Sequence, residues 1–229
     1  MTIEKFCDKK LIEENFKKCL KGYHLVNSSP IIEKIWEELN ATLFTSVGIT
    51  IQSKSNGSHA SGMDIQCTLG GISNKSGKYS KNKKTIDISS YRLTTVCDSN
   101  NFGTPEEIIK EINSRKNFEY YSFIIRDETK NDNSIAYDWF MIPSNCLILD
   151  PSSYDWEPKI GKRGKNKDTQ VGWTTNEING CKMGVTFSMS SQLWIHIAVT
   201  EELKKFIIAS TVVNNTQSFN YIELCDKLI

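Results

Sequence analysis

The residues best suited to chemistry are Asp64 and Lys75, which stand at the two ends of the segment DIQCTLGGISNK. Apolar and polar residues alternate on either side of Gly70-Gly71, and this pattern predicts a β-hairpin with a two-residue turn. In that register Gln66 pairs with Lys75, and Asp64 is a diagonal neighbour of Lys75. Side chains alternate between the faces of a strand, so Asp64, Gln66, Ser73 and Lys75 are expected on one face, with diagonal positions about 7–8 Å apart. A carboxylate and an ammonium are therefore predicted to converge there. The alternative for Asp64 and Lys75 is an ordinary cross-strand surface ion pair.

These residues resemble the active-site motif of the PD-(D/E)xK nucleases, and the phrases SGMDI, GGISNKSGK and ISSYRL resemble those of type II restriction enzymes. In that family an acid at the start of a strand binds Mg²⁺, and a (D/E)xK triplet on the adjoining strand supplies a second ligand and a lysine. The resemblance assigns the first acid to Asp64 and the triplet to Ser73-Asn74-Lys75. It implies a Mg²⁺-dependent enzyme that cuts double-stranded DNA at a palindromic site and acts as a homodimer.

The resemblance also implies a role for each residue in the hydrolysis of a phosphodiester. Asp64 would hold Mg²⁺ against the phosphate, where the metal neutralises charge and lowers the pKa of an attacking water. Lys75 would orient or deprotonate that water, or stabilise the negative charge of the transition state. His59, five residues before Asp64, is a candidate for phosphate contact or proton transfer, and the alternative is a solvent-facing or structural role.

The triplet departs from the family pattern at Ser73. A hydroxyl is a weaker Mg²⁺ ligand than a carboxylate. Some other group must then complete the metal site beside Asp64 and Ser73. The candidates are Glu33 or Glu37 on the preceding helix, and Asp87 on the following strand.

The apolar face of the hairpin carries Ile65, Cys67, Leu69 and Ile72 and needs a helix to cover it. An apolar stripe at helical spacing predicts that helix from Pro30 to about residue 44, with Ser28 or Ser29 as its cap and Glu33 closing a capping box. The other predicted elements are a helix over 3–20, a strand over 47–52, a strand or strand-to-helix segment over 85–96, a helix capped by Thr104, hairpins over 118–142 and 171–189, a strand over 193–199, and helices over 201–209 and 221–229.

Together these elements predict one α/β domain over residues 1–229, with a central mixed β-sheet flanked by helices. The resemblance further implies a restriction-endonuclease-like core around a catalytic hairpin at about 63–76. The segments at about 77–95 and 159–192 are expected to contact DNA.

The expectation of DNA contact rests on local charge, since the net charge is only +1. Residues 75–84 hold five lysines and no acid, and residues 159–167 hold five cations and no acid, a pattern typical of phosphate contact or of solvated loops. Arg, Gln, Asn, Ser, Thr and Tyr can also contact base edges. The candidates for DNA binding are Lys78, Lys81, Ser89, Ser90, Tyr91, Arg92, Lys162, Arg163, Lys165, Gln170, Thr174, Thr175 and Asn176.

Several classes of protein are disfavoured by what the sequence lacks. It has no long apolar run typical of a membrane span and no GxSxG, P-loop or Rossmann glycine pattern. Its seven cysteines show no CxxC pair, so reduced thiols in a bacterial cytoplasm are expected. Two alternatives remain open: a repair or unspecific nuclease of the same fold, and a DNA-binding module without catalysis.

Overall fold

Two helices open the part of the chain that the structure, a computed structural model, describes: residues 8–55, 62–82, 84–128 and 133–228. Helix α1 (Lys9–Val26) begins after Asp8, whose carboxylate accepts hydrogen bonds from two backbone N–H groups of the first turn. Helix α2 spans Glu33–Ser46. Its predicted start is wrong, because no described side chain caps α2 and the Glu33 carboxylate bonds to Lys75 instead of closing a capping box.

The strands form a single mixed sheet, as the sequence predicts. Strands β3 and β5 are parallel, and the other described pairs are antiparallel. The order across the sheet is β11-β6-β5-β3-β4-β10-β9-β8-β7, with β2 also paired to β3 and β1 paired to β2. The strands are β1 (Ile51–Lys54), β2 (Ile65–Cys67), β3 (Gly70–Tyr79), β4 (Thr85–Arg92), β5 (Tyr120–Asp127), β6 (Ser134–Pro143), β7 (Trp156–Ile160), β8 (Gln170–Thr175), β9 (Cys181–Thr186), β10 (Gln192–Ala198) and β11 (Ile207–Asn214). The remaining helices are α3 (Pro105–Ser114), α4 (Glu201–Lys204) and α5 (Tyr221–Leu228).

Each face of the sheet carries its own apolar core. Helices α1 and α2 pack on one face through a cluster that contains Phe16, Trp36, Ile72 and Trp139. The second cluster lies on the opposite face and joins α3 to β4, β8, β9 and β10. The first cluster holds no described residue of those four strands. Among the described residues, the α1/α2 layer therefore covers the part of its face formed by β2, β3, β5, β6 and β11.

The turn of the β2/β3 hairpin lies at Thr68-Leu69 and not at the predicted Gly70-Gly71. Ile72 pairs with Ile65 and not with Leu69, a shift of four residues. Because side chains alternate with a period of two, an even shift leaves every side chain on its predicted face. Ile65, Cys67 and Ile72 accordingly lie in the core beneath α1 and α2.

The C-terminal region differs most from the prediction. The helix expected over 201–209 ends at Lys204, and residues from Ile207 form β11 against β6. The run IIASTVV is rich in β-branched residues, and an available strand edge favours their extended form. Strand β7 was not predicted. The helix capped by Thr104, both later hairpins and the helix at 221 are as predicted. No helix in the described ranges has the length and apolar character needed to cross a membrane.

Candidate active site

Asp64 and Lys75 meet where one edge of β3 has no strand beside it. Among the described strands, β2 pairs with β3 at residues 70–72 and β4 pairs with it from residue 77, which leaves a gap between them. In this gap the backbone N–H of Asn74 donates to Asp64 Oδ2 at 2.5 Å, and the backbone oxygen of Asn74 accepts from Lys75 Nζ at 2.8 Å. The two charged side chains thus satisfy the backbone groups that a neighbouring strand would otherwise bind.

Lys75 is buried at the centre of this gap beside β3, which together with the side chains around it is called the cleft. Its side chain is 6% exposed, and its Nζ lies 2.8 Å from Glu33 Oε1 and 3.9 Å from Asp64 Oδ2. Burial acts to lower the pKa of Lys75, but the two carboxylates outweigh burial and raise the pKa above its ordinary value. Lys75 therefore carries a fixed positive charge that points into the gap.

Negative charge nevertheless exceeds positive charge in the cleft. Burial raises the pKa of Asp64, against the opposing effects of Lys75 and the Asn74 N–H. Burial and the nearby carboxylates of Asp64 and Glu33 raise the pKa of Glu37 to about 7. Three carboxylates share one ammonium, and a bound cation would relieve their mutual repulsion.

A buried polar network holds this edge of β3 against α2. Asn40 Nδ2 donates to Asn74 Oδ1 at 2.5 Å and to Ser122 Oγ at 2.9 Å, and Trp139 Nε1 donates to the same hydroxyl at 2.9 Å. The network fixes the helix that carries Glu33 relative to the strand that carries Lys75. Sequence reasoning missed Asn40, although a polar residue within the apolar stripe of α2 was the signal that could have revealed it.

Ser73 and Asp87, two candidates for the second metal ligand, differ in their surroundings. Ser73 follows Ile72 in the hairpin register and so lies opposite Asp64; its hydroxyl is fully buried and has no hydrogen-bond partner among the described residues. The Asp87 carboxylate pairs with His196 Nδ1 at 2.7 Å, away from the cleft. His59 lies outside the described residues.

The carboxylates of the cleft suit Mg²⁺ only if water and substrate supply most of its ligands. No group of three His, Cys, Asp or Glu side chains in the described ranges could enclose a metal ion. Mg²⁺ commonly uses one or two carboxylates and completes its shell with water and substrate phosphate. Asp64 with one helix glutamate meets that requirement.

Tyr91 is part of the wall of the cleft rather than of the protein surface. The residue is 7% exposed. Lys75 Nζ lies 5.9 Å from the centre of the Tyr91 ring, and the Tyr91 hydroxyl lies 3.4 Å from the Tyr121 hydroxyl. The structure therefore does not bring Tyr91 to a position from which it can contact DNA.

The other DNA-binding candidates differ in how accessible their side chains are. Thr175 is buried, and its hydroxyl accepts from the Met183 N–H. Ser90 has a buried hydroxyl, Gln170 donates to the Gly172 oxygen, and Asn176 bonds to Asp155. Ser89 and Thr174 are half-buried, and the six cations are exposed: Lys78, Lys81, Arg92, Lys162, Arg163 and Lys165. The charged candidates are thus accessible to phosphate, whereas the side chains of Gln170, Thr175 and Asn176 bond within the fold.

Comparison with protein-family models, with curated proteins and with solved structures finds no match to this chain. The resemblance carried by Asp64 and Ser73-Asn74-Lys75 stays a prediction.

Proposed function

We propose that the protein is a Mg²⁺-dependent endonuclease that hydrolyses double-stranded DNA at a specific site, in the manner of type II restriction enzymes. The observation that carries the proposal is the meeting of Asp64 and Glu33 at the buried Lys75 on the open edge of β3, with Glu37 near enough to interact electrostatically with all three. Charged groups held in a partly buried cleft act more strongly on a reacting phosphate than the same groups on an exposed surface.

Each group has a distinct role in the proposed reaction. Asp64 and Glu33 would hold Mg²⁺, which when bound neutralises phosphate charge and lowers the pKa of water. Lys75 stabilises the negative charge that develops on the phosphate oxygens. Glu37, whose pKa is raised to about 7, is suited to accept the proton of the attacking water.

The exposed cations support DNA as the substrate. Lys162, Arg163 and Lys165 lie on the loop between β7 and β8. Lys78 lies at the end of β3, and Lys81 lies in the turn that follows. Such groups contribute sequence-independent affinity through phosphate contacts. The proposal includes a twofold homodimer, because a palindromic site presents two equivalent strands.

A plasmid digest tests the proposal. Purified protein is incubated with supercoiled plasmid and Mg²⁺, with Ca²⁺ and with chelator in parallel. Discrete bands that require Mg²⁺ are expected. A smear would indicate an unspecific nuclease of the same chemistry, and intact plasmid at every metal concentration would reject the enzymatic proposal.

A second candidate is a DNA-binding module without catalysis. It is favoured by one contact: Lys75 lies closer to Glu33 than to Asp64, as in a structural ion pair. This candidate predicts that the plasmid stays intact while duplex DNA is retarded in a gel.

A further inference from the structure

A groove on the uncovered half of the sheet lies outside the catalytic cleft. Leu193, Ile195 and Ile197 of β10 point into the second core, so Trp194 and His196 project from the opposite face, where the described helices α1 and α2 do not reach. The groove has a volume of ≈ 290 Å³. It is lined by Lys159, Thr174, Lys182, Met183, Gly184, Thr186, Trp194 and His196.

The lining of the groove is rich in hydrogen-bond donors and positive charge. Among the described residues, no Asp or Glu lines it. Lys182 is exposed, and Lys159 Nζ is held by Thr186 Oγ1 at 2.9 Å. His196 faces the groove, and its Nδ1 is paired to the Asp87 carboxylate. This arrangement favours an anion.

Trp194 gives an independent sign that a ligand belongs here. Its Nε1 is buried and has no hydrogen-bond partner among the described residues. A buried donor without a partner is costly and usually finds an acceptor in a ligand or in water. Gly184 pairs with Trp194 across the strands and contributes no side chain, which leaves room beside the indole.

We infer that this groove binds a backbone phosphate of DNA. Two lysines, the indole N–H and the threonine hydroxyls match the phosphate contacts of DNA-binding proteins. Strand β9 is three strands from β3, so Lys182 lies about 15 Å from the catalytic strand in the plane of the sheet. Lys78 projects from the same face as the groove, beside Asp87, whereas Ser73 and Lys75 project from the opposite face. Lys78 and the groove would therefore form one cationic surface along which a DNA backbone can lie, separate from the face that carries Lys75.

This inference rests on the DNA-binding part of the proposed function and not on cleavage. It is tested by equilibrium binding to a duplex oligonucleotide with Ca²⁺ in place of Mg²⁺, over a series of salt concentrations. The test variant is Lys159→Ala with Lys182→Ala. The matched control is Lys204→Ala with Lys205→Ala, two exposed lysines at the C-terminal end of α4.

Loss of two phosphate contacts should reduce the slope of log affinity against log salt by about 1.8, or about 0.9 for each contact. The control should keep the slope of the parent. Trp194→Phe, which keeps an aromatic ring and removes the indole N–H, should weaken binding by about tenfold. An unchanged slope in the double variant, with its thermal unfolding midpoint preserved, overturns the inference.

Inorganic phosphate distinguishes a DNA site from a site for a free anion. Added at constant ionic strength, it should compete with DNA for the parent and lose that effect in the double variant. Phosphate that binds the parent and is not displaced by duplex would assign the groove to a free anion and reject DNA. A changed slope with no plasmid cutting would reject the endonuclease alone, whereas plasmid cutting with an unchanged slope would reject the groove alone.

Discussion

Lys75 Nζ stands 2.8 Å from Glu33 Oε1 and 3.9 Å from Asp64 Oδ2, so one ammonium bridges the first turn of α2 and the residue that precedes β2. Its side chain is almost fully buried, whereas that of Glu33 is 37% exposed. A lysine held this way is costly to bury unless its partners stay in place. The pair therefore couples the position of α2 to the electrostatics of the cleft.

Asp64→Asn and Lys75→Met should each abolish efficient cutting. Loss of a charged group at the reacting phosphate commonly costs on the order of 10²–10⁴ in rate. Specific binding with Ca²⁺ should remain for Lys75→Met, because an isosteric apolar side chain keeps the packing. Plasmid cleavage rates and gel retardation measure the two effects separately. A Lys75→Met protein that cuts within a few-fold of the parent would remove Lys75 from the mechanism.

Glu33→Gln separates a metal ligand from a structural partner. If Glu33 helps to hold Mg²⁺, the variant should need a higher Mg²⁺ concentration for half-maximal cutting, because an amide is a weaker ligand than a carboxylate. If Glu33 only pairs with Lys75, stability should fall while the Mg²⁺ requirement stays the same. Glu38→Gln, an exposed neighbour on the same helix, is the control for the loss of one negative charge.

Asn40→Ala should loosen the attachment of α2 to β3. It leaves Asn74 Oδ1 buried without its donor, which costs about 1–3 kcal/mol, while Ser122 Oγ keeps the Trp139 donor. Urea unfolding measures the loss, and Thr42→Ala on the exposed side of α2 is the control. Cutting should fall by more than the unfolded fraction explains, since Glu33 and Glu37 lie on the loosened helix. Equal activity per folded molecule would contradict a positioning role for Asn40.

The sequence predicts those features of the site that residues close along the chain determine, and it misses those that depend on long-range contacts. Asp64 and Lys75 reach one cleft even though the predicted turn was misplaced, because an even shift of register preserves the faces of a strand. The alternation of side chains along the strands could not predict two other features. The pairing of Glu33 with Lys75 joins residues 42 positions apart, and the burial of Tyr91 depends on neighbours that only the folded sheet brings together. Strand β11 was missed because its pairing with β6 is likewise a long-range interaction.

Glu37 should make stability depend on pH in a definite direction. Its pKa rises from an ordinary value of 4.5 to about 7 in the folded protein, first through burial and then through Asp64 and Glu33. Between those values the folded state binds more protons than the unfolded state, so the contribution of Glu37 is fully present below pH 4.5 and is lost as pH rises through about 7.

Glu37→Gln should therefore leave stability nearly unchanged at pH 4.5 and raise it relative to the parent at pH 8. Glu37 is partly exposed, and allowing for solvent screening we expect a gain of about 1 kcal/mol. Urea unfolding at both pH values measures the difference, with Glu14→Gln on the exposed side of α1 as control. Ca²⁺ should shrink the gain at pH 8, because a cation held by the cleft stabilises the charged form of Glu37. A gain at pH 8 that Ca²⁺ leaves intact would place Glu37 outside the reach of any bound cation.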